Sequence, residues 1–71
     1  MEKITLKAAR VNAGYTQKQA AFKLGVSNAT LHKWEKGKSF PKQPMIERLC
    51  DLYALPYDAI DFAPIFFLHS N

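Results

Sequence analysis

Only three residues, Gly25-Val26-Ser27, separate two stretches that each carry their own helix start and stop signals. Upstream, Thr16-Gln17-Lys18-Gln19 reads as a capping box: the Thr hydroxyl covers one orphan amide while Gln19 reaches back to another. Ala20, Ala21 and Leu24 form the inner face of that helix, and Gly25 stops it. Downstream, Ser27 opens a further helix whose apolar positions, Leu31 and Trp34, are three apart. Glu35 and Lys36 finish it and Gly37 terminates it. So short a link forces the two helices to cross steeply. Such a crossing needs a small residue where the backbones meet, a residue that tolerates positive φ at the turn, and apolar side chains at the corner. Ala21 suits the first role, Gly25 the second, and Leu24, Val26, Leu31 and Trp34 the third.

The punctuation continues on both sides. Thr5 is a good cap for a first helix that puts Leu6, Ala9 and Ala13 on one face and ends at Gly14. Residues 38–43 are a basic loop with one proline, and Pro44 suits the first position of a fourth helix. In that helix Met45, Ile46, Leu49, Leu52 and Tyr53 make an apolar stripe, with Glu47, Arg48 and Asp51 opposite. Pro56 is read as opening a short fifth helix to about Ile60. Nothing alternates with period two for long enough to be a strand. The expected fold is all-α, a compact five-helix bundle over residues 1–61, followed by an apolar C-terminal tail over 62–71.

Seventy-one residues leave room for one small domain, and 48% apolar residues set it apart from a disordered tail. Residues 1–42 carry nine Lys or Arg against two Glu, a balance of +7, whereas residues 43–71 balance at −3. A basic half on a folded domain suits a polyanion; ordinary solvated lysines fit the charge equally well. The longest apolar stretch, Phe62 to Leu68, falls short of the roughly 20 residues of a membrane-spanning helix, so no membrane partner is expected. Residues 1–20 lack a signal-peptide layout, and a single cysteine, Cys50, has no internal partner; the expected location is the cytoplasm, on the nucleoid. His32, His69 and Cys50 do not have the spacing of a ligand set, and no nucleophile–base pair, carboxylate dyad or glycine-rich phosphate loop is visible. The sequence thus calls for no metal, no cofactor and no enzymatic activity.

Taken together, Thr16 to Ser27, followed by Leu31, Trp34-Glu35 and Gly37, resemble the Cro/cI-type (XRE) helix-turn-helix family of phage-repressor-like regulators. The resemblance extends through Met45 to about Ile60. It implies double-stranded DNA as the partner, with the third helix in the major groove. Asn28, Ala29, Thr30, His32 and Lys33 would then read bases. Gln17, at the start of the second helix, would meet a phosphate, as would Lys36 and the loop residues Lys38 and Lys42. Arg10 and Glu35 match a pair that, in many members, ties the first helix to the end of the third. The residue types agree with these roles: Asn pairs bidentately with adenine, Lys donates to guanine, and an Ala methyl meets the thymine methyl.

The chain departs from the family pattern in places. Ala9 and Ala20 stand where relatives often carry Leu, which thins the core near the first two helices. Phe22 stands where a polar residue is usual; its expected role is to supply the missing volume, as Tyr15 also can, and the alternative is exposure to a partner. Phe22 with Phe62, Ile65, Phe66, Phe67 and Leu68 is therefore a candidate protein interface, unless the tail packs on its own domain. Two functions follow. One is a sequence-specific transcriptional regulator of a phage or prophage switch, acting alone or as a weak homodimer. The other is an antirepressor or modulator that binds another repressor protein through its apolar tail.

Overall fold

A computed structural model describes residues 2–62 of the chain. Helices run Leu6–Asn12 (α1), Gln17–Leu24 (α2), Asn28–Lys36 (α3) and Gln43–Tyr53 (α4). The starts follow local chemistry. Thr5 Oγ1 accepts from the Ala8 amide at 3.0 Å, and Ser27 Oγ accepts from the Thr30 amide at 3.0 Å. At Thr16 both halves of the capping box form, the Gln19 amide donating to Thr16 Oγ1 at 3.1 Å and the Thr16 amide to Gln19 Oε1 at 2.9 Å. α4 begins with Lys42 as its cap and no side-chain capping bond; Pro44 lies in the first turn, one residue later than expected, where its missing N–H costs no helix bond.

The helix ends share one device. Beyond α2 the Gly25 amide donates to Phe22 O and the Val26 amide to Ala21 O, which closes the last turn and redirects the chain. This closure holds Gly25 at φ 75°, left-handed backbone that a Cβ disfavours. The same bonding ends the other three helices, the last at Ala54, a non-glycine residue at φ 57°.

The core is drawn from all four helices and from Ile60. Leu24, Leu31, Leu49 and Ile60 are fully buried, with Leu6, Ala9, Ala20, Ala21 and Tyr53 around them. Burying each large aliphatic side chain is worth about 1.5–3 kcal/mol. Ala9, Ala20 and Ala21 are small residues buried within the core, and α2 packs most closely against α3 and α4. The volume that larger residues would fill there is met in part by Tyr15, whose ring packs against Tyr53 at 6.3 Å between centroids. Phe22 does not fill it. Ala20, Ala21 and Leu24 mark the inward face of α2, and the helical turn carries Phe22 to the opposite side, where it is 86% exposed. Ala13 likewise lies outside, at the cap of α1, and its expected inward place is taken by the buried Arg10.

Two further expectations are corrected. Residues after Pro56 form not a fifth helix but one 3₁₀ turn, Tyr57–Ala59, after which Ile60–Asp61 (β2) runs extended. β2 pairs in parallel with Ile4–Thr5 (β1), Ile4 opposite Ile60 and Thr5 opposite Asp61. The described chain is therefore four helices closed by a two-residue ladder rather than an all-α bundle of five. Strands of two residues leave no period to read, and Ile60 extends because Ile4 offers it hydrogen bonds across nearly the whole chain. Phe62 follows, stacked on Tyr57 at 5.4 Å and tilted against Phe40 at 6.4 Å. Ile65, Phe66, Phe67 and Leu68 lie outside the described residues.

The Tyr53 hydroxyl is buried with no hydrogen-bond partner among the described residues. Burial, reinforced by the nearby Glu35 charge, pushes its pKa up to about 12 from 10.0. The folded state thus resists losing this proton while the unfolded chain releases it near pH 10. The stability tied to Tyr53 is complete below pH 10 and is lost as pH rises toward 12. Urea denaturation across pH 9–12 should show that decline in the native sequence and a shallower one in Tyr53→Phe.

Candidate nucleic-acid interface

The site is built where α1, α2 and α3 converge. Arg10, on the inner side of α1, reaches the end of α3, where its Nε donates to Glu35 Oε2 at 2.7 Å and its Nη2 to Glu35 Oε1 at 3.3 Å. Nη1 donates to the Tyr15 carbonyl at 2.9 Å, fixing the turn that leads into α2. The side chains are 9% and 4% exposed, so this pair is held nearly out of water. A forked, charge-assisted contact of this kind fixes distance and orientation together.

Glu35 has one more partner. Gln17, the first residue of α2, donates from Nε2 to Glu35 Oε1 at 3.1 Å. Gln17 Oε1 in turn accepts from Asn28 Nδ2, the first residue of α3, at 3.0 Å. Four polar side chains from three helices thus form one connected run, from the buried Arg10 to the exposed Asn28.

Outward from this run, Asn28, Ala29, His32 and Lys33 are exposed on the side of α3 turned away from Leu31. Thr30 is half-buried, and its hydroxyl accepts from Ser27 Oγ at 2.9 Å, so it is engaged in the cap of its own helix. Trp34 is half-buried against the core. Beside α3 opens a cleft lined by Thr5, Lys7, Arg10, Thr16, Gln17, His32, Glu35 and Lys36. The N-terminus of α2 faces it, and a helix start with free amides and nearby lysines is suited to an anionic oxygen. Gln17 and Lys36 therefore share one cleft, whereas Lys38 and Lys42 lie on the loop before α4. Lys42 there borders an apolar hollow with Val26, Trp34, Phe40, Pro41, Pro44 and Met45.

Sequence reasoning passed over Lys7 and the bond between Gln17 and Glu35. Lys7 stands three residues before Arg10, a spacing that puts both on neighbouring parts of one helix face, and that was the available signal. The Gln17–Glu35 bond had none, since its partners are far apart in the chain. Burial raises the Cys50 thiol pKa, with Asp51 and Glu47 adding to it, which keeps the group a protonated packing element. Among the described residues no cluster of His, Cys, Asp or Glu is arranged to hold a metal ion, and no helix is long and apolar enough to cross a membrane.

Two capped helices joined by a tight left-handed turn, the second presenting a polar face beside the start of the first, define a helix-turn-helix domain. A family model for the helix-turn-helix domain matches residues 4–62, and the chain belongs to that family, in its Cro/cI-like (XRE) form. Over 53 residues it is 42% identical to the HTH-type transcriptional regulator ImmR of Bacillus subtilis (strain 168). That stretch covers 75% of this chain and 42% of the relative, so the chain spans less than half of the relative's length. No solved structure gives a significant match.

Because Arg10 and Glu35 are both withdrawn from water, loss of one should be worse than loss of both. Arg10→Met is expected to cost about 3–5 kcal/mol, and Arg10→Met with Glu35→Leu distinctly less, as measured by urea denaturation. Equal losses in the single and double variants would contradict this account of the pair.

Proposed function

We propose that this domain is a sequence-specific DNA-binding transcriptional regulator that lays α3 in the major groove. The observation that carries the reading is the exposed row Asn28, Ala29, His32 and Lys33 beside the basic cleft at the start of α2. Asn28 and Lys33 have hydrogen-bonding groups suited to base edges, and the Ala29 methyl suits thymine. Gln17, Lys36 and the α2 amides take a backbone phosphate on one side, while Lys38 and Lys42 take one on the other. The charge balance of +7 over residues 1–42 gives these contacts a favourable field.

The relative's description as a transcriptional regulator supports the same use here. The domain then acts on the nucleoid, in a phage- or prophage-type switch, by occluding or recruiting at a promoter. A homodimer would set two copies of α3 on half-sites about 34 Å apart.

Binding to duplex DNA, followed by fluorescence anisotropy over a range of salt concentrations, tests this. Affinity should fall steeply with salt, with a slope of about 0.9 per neutralised phosphate. Lys36→Ala should reduce that slope by about one with little change in sequence preference. Lys33→Ala should weaken binding to the preferred sequence by about 1–3 kcal/mol. Absence of binding even at low salt would overturn the reading.

The exposure of Phe22 favours a second reading, in which the domain binds another repressor as an antirepressor or modulator. Its other candidate contacts, Ile65, Phe66, Phe67 and Leu68, lie outside the described residues. Phe22→Ser should then abolish capture of the partner repressor while leaving the fold and DNA affinity unchanged.

A further inference from the structure

The exposed side of α3 divides into two edges. Residues four apart on a helix lie one turn from each other on the same face, so His32 pairs with Lys36 along one edge and Ala29 with Lys33 along the next. His32 and Lys36 line the cleft between α1, α2 and α3, whereas Ala29 and Lys33 do not. Lys7 lines it from α1. The carboxylate at this cleft, Glu35, is already held by Arg10. Lys7 and Lys36 form no ion pair among the described residues, so the cleft carries two uncompensated positive charges. The His32 imidazole is exposed beside them and makes no hydrogen bond among the described residues.

We infer that His32 binds a DNA phosphate at this cleft in its protonated form, so that docking takes up one proton from solution. The inference rests on the proposed docking of α3 in the major groove, which brings the DNA backbone to the cleft. A neutral imidazole offers one N–H donor; the protonated ring offers two donors and a positive charge. Histidine is the side-chain type that ordinarily changes charge between pH 5 and 8. A backbone phosphate is anionic throughout that range, and an opposite charge within about 4–6 Å favours the charged form of a titrating group. The charged groups facing the ring are Lys7 and Arg10 from α1 and Glu35 and Lys36 from its own helix; the start of α2 presents only the uncharged Thr16 and Gln17. Arg10 and Glu35 offset each other. The phosphate is then the negative charge that the added proton answers. The complex holds more protons than its separate partners, so affinity rises as pH falls through the histidine range.

A phosphate contact and a base contact made by the same imidazole differ in what they respond to. Phosphates are alike along every duplex, so proton uptake at a phosphate accompanies binding to any sequence and adds to its salt dependence. Proton uptake at a base edge is confined to duplexes that present that base. His32 thereby leaves base reading to Asn28, Ala29 and Lys33, and joins Lys36 as a contact that positions the domain.

The test measures the affinity of the full chain by fluorescence anisotropy at pH 8 and pH 5.5, over a range of salt concentrations. Two duplexes are used, one of the preferred sequence and one of scrambled sequence, and circular dichroism checks the fold at each pH. Native binding should be about tenfold tighter at the lower pH on both duplexes. Its salt slope there should steepen by about 0.9, the value of one more neutralised phosphate. His32→Gln keeps a donor but does not titrate; it should lose the steepening and most of the tightening and keep the preference between the duplexes. His32→Arg carries its charge at every pH, and at pH 8 it should bind as the native chain does at pH 5.5. His69→Gln, which removes the other histidine of the chain, should behave as the native chain does. Equal pH dependence in the native chain and His32→Gln, loss of the effect in His69→Gln instead, or an effect confined to the preferred duplex would overturn the inference while leaving DNA binding intact. If the native chain binds neither duplex at either pH in low salt, the proposed function fails and this inference falls with it.

Discussion

Two opposite charges withdrawn from water must stay together, because either one alone in the interior lacks the solvation it gave up. Arg10 and Glu35 are such a pair, and they sit on the first and third helices of the domain. Their contact sets how far apart α1 and α3 lie and how each is turned about its axis. A third donor on the same guanidinium holds the Tyr15 carbonyl, so the turn before α2 is fixed by the same group. The remaining lone pairs of Glu35 then anchor Gln17, at the very start of α2. One ion pair therefore positions three helix segments, and the exposed face of α3 derives its register from it.

Around this polar centre the apolar core is modest and uses small residues deliberately. Ala9, Ala20 and Ala21 let helices approach closely, and Leu24, Leu31, Leu49 and Ile60 provide the fully buried bulk. The Tyr15–Tyr53 contact lies near the ion pair. Apolar packing thus supplies cohesion without fine orientation, while the charged contact supplies orientation. The consequence for the surface is that α3 is held in register although the residues it displays are few and simple.

Much of this was legible in the sequence because helix boundaries are local events. Thr5, Thr16 with Gln19, Ser27 and the glycines at 14, 25 and 37 act within a few residues of themselves, so their chemistry can be read one window at a time. The inward faces of α2 and α4 follow from spacing in the same way. What escaped was non-local or lacked its usual marker. Ile60 extends because of Ile4, and no window contains both. α4 ends at Ala54 with no glycine to announce it, and the residues beyond Pro56 looked helical because that proline opens an extended step as readily as a helix. Of the two readings open for Phe22, filling a thin core or lying exposed, the positions of Ala20, Ala21 and Leu24 already turn it away from the core. Within the interface, the display of Asn28, Ala29, His32 and Lys33 was readable from helical spacing. The link from Glu35 through Gln17 to Asn28 depends on how three helices meet, which no local pattern encodes.

The small parallel ladder has a consequence of its own. It joins Ile4 to Ile60, across nearly all of the described chain, so it can form only after the helices between have been gathered. Thr5 belongs to this ladder and is also the cap of α1. When the ladder opens, the first turn of α1 loses its support at the same moment, and α1 is the helix that carries Arg10. Breathing at the margin of the domain is in this way mechanically connected, through Arg10 and Glu35, to α3. The least regular piece of structure, two residues on each side, works as a latch across the two ends of the described chain.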